Sequence, residues 1–363
     1  MAQPALPTRL TSLLKCRYPV LLPGMSWISQ PELVAAVSNA GGVGILATGP
    51  LSPDETRASL RRIRELTDKP FGVGCTLLMP GAKENAKIAL DEQVPLLNVS
   101  LGTADWIADA AHAYGGHVLA TVTNAKHAQK ALDNRVDALM VTGHEAAAHG
   151  GDVTSLVLIP TLNSRFPEVP IVAAGGFADG RGLAAALALG ADGVAMGSRF
   201  AVSLESSLAR KTQEAITRAD ETETVYGSNF DGIPARVLKT PASEKAMQSR
   251  PNLLTVAYRA MRAASTMGVP WWKILPGMVT QFQKVYAVAQ FGAATDSIQK
   301  ATVDGNLQDG VQFIGQSQGL IRDIASVDEI MQRTIHEAHS SVERLNSISQ
   351  GGDSAVDETR KAV

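Results

Sequence analysis

Between Tyr18 and Met196 the chain alternates short, almost wholly apolar runs with longer stretches of helical pattern. The runs are Tyr18–Leu22, Val43–Leu46, Phe71–Leu78, Val94–Val99, His117–Val122, Ala138–Thr142, Pro170–Ala174 and Gly193–Met196. Strands with no polar–apolar alternation are buried on both faces, as in a parallel sheet covered by helices. Eight such units within about 210 residues match the count of a TIM (β/α)8 barrel. A doubly wound sheet is the competing architecture. It gives no reason for the glycines that close the last two runs.

Those runs end in Pro170-Ile-Val-Ala-Ala-Gly-Gly-Phe-Ala-Asp-Gly180 and Gly193-Val-Ala-Met-Gly-Ser-Arg-Phe200. Side chains there would obstruct a phosphate, whereas glycines let backbone N–H groups close around it. Two successive strand ends of this kind form the phosphate site expected after strands 7 and 8 of a barrel. Ala174, Gly175, Gly176, Gly197 and Ser198 are the candidate cradle; the alternative is that the glycines merely terminate strands.

Catalytic residues of a barrel lie at the C-terminal ends of its strands. After strand 6 comes Val141-Thr-Gly-His-Glu-Ala-Ala-Ala-His-Gly-Gly-Asp152. Histidine titrates near neutral pH and can act as general base or donor. His149 and His144 are therefore candidates, each against the reading of a satisfied structural histidine. Their spacing, with no further ligand pattern, does not predict a metal site. After strand 1, Leu22-Pro-Gly-Met-Ser-Trp27 lets backbone approach a flat ligand, or plugs the barrel. Trp271 and Trp272 either face substrate or pack a hinge. The remaining histidines, His127 among them, read as surface or packing residues.

Net charge is −2, with no basic footprint for nucleic acid. Two cysteines argue against a disulfide scaffold and fit a reducing compartment. No signal-peptide pattern or membrane-length apolar run is present, so a cytoplasmic setting is expected. Residues 1–204 read as the barrel, 205–300 as a mostly helical lid or substrate domain, 301–350 as helices returning to the barrel, and 351–363 as a flexible tail. Helices are expected over 208–220, 244–267, 278–293, 311–324 and 326–348, with 226–240 irregular and 269–277 a linker.

Pro23–Trp27, Asn39–Ile45, Thr67–Val73, Gly143–Gly151, Ala173–Gly182 and Met196–Phe200 together resemble the nitronate monooxygenase family, once called 2-nitropropane dioxygenases. Its relatives include FabK-type enoyl reductases. The resemblance implies FMN, its phosphate on the cradle and its ring near Pro23, Gly24, Met25, Gly74 and Thr76. Thr121, Gly143, Glu145 and Gly150 complete the flavin-side set. His149 falls on the active-site histidine, and His144, Trp271 and Trp272 are candidate substrate contacts. Relatives carry Gln where this chain has Leu22, and Asn where it has Gly74. The implied activity is oxidation of alkyl nitronates with O2. The alternative is an NADH- or NADPH-dependent FMN reductase or dehydrogenase of quinones or of enoyl-CoA or enoyl-ACP thioesters. Asn229–Thr240 resembles a branch acting on CoA thioesters of steroid-ring fragments. A barrel binding a phosphorylated metabolite without flavin is a third reading. Partners are a small-molecule substrate and O2, with homodimerisation left open.

Overall fold

The computed structural model describes residues 4–79, 81–103, 105–248 and 294–360. Eight parallel strands close into a barrel: β1 Val20–Leu22, β2 Val43–Ala47, β3 Gly72–Thr76, β4 Leu96–Ser100, β5 His117–Val122, β6 Ala138–Thr142, β7 Ile171–Ala174 and β8 Gly193–Ala195. β8 pairs in parallel with β1, Leu21 opposite Ala195, which completes the ring. The helices are α1 Arg9–Leu14, α2 Pro31–Asn39, α3 Pro53–Leu66, α4 Ala82–Asp91, α5 Asp105–His112, α6 Ala125–Asp133, α7 Ser155–Arg165, α8 Gly180–Ala188, α9 Gly197–Ala201, α10 Arg210–Arg218 and α11 Pro241–Gln248. They continue with α12 over 294–302 and α13 Val327–Arg360.

Two apolar layers hold this arrangement. Outward strand residues such as Leu22, Leu46, Val73, Leu97 and Val141 pack under the helices. Inward residues Leu21, Val43, Ile45, Leu96, Leu119, Met140 and Val172 fill the barrel, and Leu10 and Leu14 of α1 join them. α1 is thus a plug for the N-terminal end. Thr8 caps it in a reciprocal box with Thr11. Arg9 donates twice to Asp192, at 2.8 Å each, and Asp192 also accepts from the Ile171 amide. Toward the C-terminal ends the interior residues shrink to Ala174 and Ala195, leaving space at that end.

α13 packs along α8 and also touches α2. Gly180 permits the approach: a Cβ there would lie 2.1 Å from the Thr334 carbonyl oxygen. The helix runs through Arg360, so the stretch read as a tail is helical nearly to its end.

Two expectations after the barrel are corrected. Residues 226–240, read as irregular, hold an antiparallel hairpin, β9 Thr224–Gly227 with β10 Ala235–Leu238. The buried run Ala-Arg-Val-Leu of β10 has no alternation to advertise a strand. Residues 311–324, read as a helix, carry an isolated bridge at Phe313 and a short 3-10 turn at Gln316–Leu320. Gly310, just before this stretch, and Gly315 within it lie close against the backbone of Ala301 and of Glu145. Residues 205–300 are accordingly not purely helical where described. Trp271, Trp272 and most of the expected helices 244–267 and 278–293 lie outside the described residues.

Candidate active site

A cavity of about 910 Å³ opens at the C-terminal end of the barrel. That is near the upper end of small-molecule pockets, enough for a cofactor and a substrate together. Pro23, Gly24, Met25, Thr76, Thr121, Gly150, Ala174, Gly175, Gly176, Gly197, Ser198 and His149 all line it. Gly74, Gly143, His144 and Glu145 do not line it; they stand behind the wall.

The β7 and β8 ends form one corner. Gly175 and Gly176 have φ of 89° and 90°, successive left-handed conformations that side chains would strain. Gly175 also abuts the loop after β6, with Ala146 nitrogen 3.0 Å from where its Cβ would be. Gly197 starts α9, whose N-terminus has no side-chain cap. Among the described residues, a Cβ at Gly197 would meet only Met25 Sδ at 3.4 Å and Pro23 at 3.5 Å. Ser198 Oγ accepts from the Gly315 amide at 3.1 Å, and its own hydrogen can be donated. Thr142 Oγ1, buried in the wall, has no hydrogen-bond partner among the described residues. Backbone donors, two hydroxyls and free volume are what a phosphate-bearing planar cofactor requires.

The other glycines explain themselves by packing. Gly24 and Gly74 lie against each other, so the loop after β1 can rest on β3. Gly143 touches the start of α7, where a Cβ would be 2.1 Å from Ser155 Oγ. Glu145 accepts from the Ser155 amide and hydroxyl, tying the loop after β6 to α7. Its carboxylate meets the N-terminus of that helix, where the macrodipole favours an anion.

That loop carries His149 and is stitched to the hairpin. Ala148 and Arg236 exchange both backbone hydrogen bonds, at 3.2 and 3.0 Å. Ala148 takes φ of 52°, a strained value for a non-glycine residue. Arg236, buried, donates Nε and Nη2 to the His144 carbonyl and lies over the Tyr226 ring. Burial lowers its pKa below the usual guanidinium value. Tyr226 donates to the Gly150 carbonyl, and burial raises its phenol. His144 Nδ1 lies 2.9 Å from the Gly151 carbonyl and its ring meets Tyr226 edge-on at 4.6 Å. His144 is thus a structural residue of the loop.

His149 Nε2 lies 2.7 Å from Asp231 Oδ2. Asp231 follows β9, within the stretch expected to be irregular, and sequence reasoning misses it. Its signal is weak: one acidic residue in an Asn-Phe-Asp-Gly turn. Sequence reasoning misses Asn98 as well. It stands opposite Gly74 in the β3–β4 register and places an amide in the cavity wall beside Thr121, Nδ2 to Oγ1 3.1 Å. An amide thus stands one strand over from Gly74, with its Nδ2 hydrogens given to the Leu119 carbonyl and to Thr121 Oγ1. His127, which its sequence position suggests is a surface residue, lines the cavity from α6, its Nδ1 within 3.2 Å of Thr123 and Asn124.

Cys75 is buried beside the site, and desolvation pushes its thiol up to about 12, so it is no nucleophile. Among the described residues no group of three or more His, Cys, Asp or Glu side chains could hold a metal. None of their helices is long and apolar enough to cross a membrane.

The family model for nitronate monooxygenase matches residues 7–103 and 81–337. The chain belongs to the nitronate monooxygenase family. It is an oxidoreductase of that family acting on small molecules. A Mycobacterium tuberculosis relative, a (3aS,4S,5R,7aS)-5-hydroxy-7a-methyl-1-oxo-octahydro-1H-indene-4-carboxyl-CoA dehydrogenase, is 33% identical over 94% of this chain and 98% of its own. A probable nitronate monooxygenase of Staphylococcus saprophyticus is 31% identical over 64% of this chain and 78% of its own. Among solved structures, FabK from Thermotoga maritima superimposes with a TM-score of 0.78 at 34% identity, covering 94% of this chain and 99% of that one.

Proposed function

We propose that the protein is an FMN-dependent oxidoreductase whose substrate is a coenzyme A thioester, with His149 handling the proton. The observation that carries this reading is the end-to-end similarity to the carboxyl-CoA dehydrogenase, over 94% of this chain against 64% for the nitronate monooxygenase relative. The sequence motifs put nitronate oxidation first; the extent of that similarity reverses the order.

Gly175, Gly176, Gly197 and Ser198 would hold the FMN phosphate. The loop Pro23–Met25, the ends of β3 and β4 and the Thr142 hydroxyl would border the ring. FMN supplies hydride transfer when bound; the protein contributes position and electrostatics. His149 takes the proton that leaves a substrate hydroxyl or acidified carbon as hydride departs, or returns it in the reverse direction. Met25 and Phe313 give apolar walls, and the closed barrel floor keeps water to the mouth. NADH or NADPH as co-substrate belongs to this reading.

Nitronate oxidation with O2 is the second reading, favoured by the family model itself. There His149 would hold the nitronate anion or deprotonate a neutral nitroalkane. Anaerobic mixing of the FMN-loaded protein with hydroxyacyl-CoA, NADH, NADPH and propionate 3-nitronate separates the two. Flavin bleaching by a nicotinamide or by the thioester, without response to the nitronate, supports the first. Bleaching by the nitronate alone refutes it in favour of the second.

A further inference from the structure

Among the described residues, Asp231 is the one whose side chain hydrogen-bonds the ring of His149. Its carboxylate is almost completely buried, at 1% exposure, and both oxygens are engaged. Oδ2 meets His149 Nε2 at 2.7 Å and Oδ1 accepts from the Ile233 amide at 3.1 Å. No lysine or arginine pairs with it among the described residues, so the imidazole is its only side-chain partner there. An ionised carboxylate accepts and cannot donate, so the ring nitrogen facing it carries the hydrogen. In neutral imidazole the other nitrogen, Nδ1, is then the acceptor. Nδ1 makes no protein hydrogen bond among the described residues, and His149 lines the cavity.

We propose that Asp231 is a positioning residue that holds the proton on His149 Nε2 and leaves Nδ1 as the atom that accepts the substrate proton. This rests on His149 being the proton-handling residue. When Nδ1 takes a proton from substrate, the imidazolium formed sits against the Asp231 carboxylate, which offsets the new charge. The acid comes from the hairpin and the base from the loop after β6. The Ala148–Arg236 backbone pair sets the register between them.

The test uses the full-length FMN-loaded protein with 15N-labelled histidine. Long-range 15N–1H correlation should assign the Nε2–H tautomer to His149, with its signal identified by loss in His149→Ala. A wild-type Nδ1–H tautomer overturns the proposal, whether or not any Asp231 variant folds. In Asp231→Asn the amide can donate to Nε2, so the opposite tautomer becomes accessible. Turnover on whichever substrate reduces the flavin should fall by about 10²-fold or more, within the range for general base catalysis. KM should stay within about threefold, as for an interaction strengthened only in the transition state. Asp231→Glu should restore part of kcat. If His149→Ala abolishes turnover while Asp231→Asn retains it, the role of Asp231 alone is refuted. If His149→Ala keeps full turnover, the reading of the site falls as well.

Discussion

Replacing Gly197 with alanine should move stability and cofactor affinity in opposite directions. The added methyl would meet Met25 Sδ at 3.4 Å and Pro23 at 3.5 Å, ordinary contacts, and the backbone φ there is not left-handed. The protein without cofactor therefore accommodates it unstrained. Gly197 opens α9, and a compatible Gly→Ala change stabilises by about 0.4–1 kcal/mol through the unfolded state. The same methyl occupies space proposed for the FMN phosphate. Overpacking of a fitted site costs about 1–3 kcal/mol. At about 1.4 kcal/mol per tenfold, FMN should bind roughly 5- to 150-fold more weakly. Flavin fluorescence titration gives the affinity, and thermal melting of the flavin-free protein gives the stability. An unchanged FMN Kd in a normally folded variant would refute the placement of the phosphate. A collapse in melting temperature would instead refute the claim that this glycine is kept for ligand space.

Leu10→Ala, at the fully buried plug of the barrel floor, should cost about 2–5 kcal/mol, read by denaturant unfolding; a near-native midpoint would deny α1 that role. Ala148→Gly relieves the φ of 52° but adds chain entropy, so stability should stay within about 1 kcal/mol of wild type, whereas Ala148→Val should lower both stability and turnover. Equal behaviour of the two variants would show that the loop conformation is unimportant. Burial opposes the charge of Asp137, yet bonds from His117, the Val118 amide and His112 outweigh it and hold the carboxyl below its ordinary value. A depressed carboxylate contributes stability above its unfolded pKa, near 3.9, and loses it as pH falls through the folded value. The deficit of Asp137→Asn measured at pH 7 should therefore shrink below about pH 4; a deficit that grows there contradicts the sign.

The barrel is legible in the sequence because its signals are local. Each strand is a continuous apolar run, and the glycines at 175, 176 and 197 mark one corner of the cavity. His149 is legible as part of a compact motif. What escapes depends on contacts distant in sequence. Asp231 gains its meaning only from His149, 82 residues away. Asn98 is inconspicuous in an apolar strand until the register sets it beside Gly74. Gly143 and Glu145 sit in the same motif as His149, yet their side of the chain faces α7, which spacing alone does not reveal. The hairpin is hidden by uniform burial of β10, and 311–324 by a helical pattern that close glycine contacts override.

The exchange of backbone hydrogen bonds between Ala148 and Arg236 makes the loop bearing His149 an extra edge of a hairpin encoded some ninety residues later. Residues around 315 then lock the same loop from the other side, through the Gln316 amide on the Glu145 carbonyl. The barrel and the C-terminal half are therefore not interchangeable modules. A chimera that grafts a foreign C-terminal half onto residues 1–204 would inherit the glycine corner intact but leave His149 without Asp231. Divergence of substrate range in such a chain has to proceed by changes that preserve this splice.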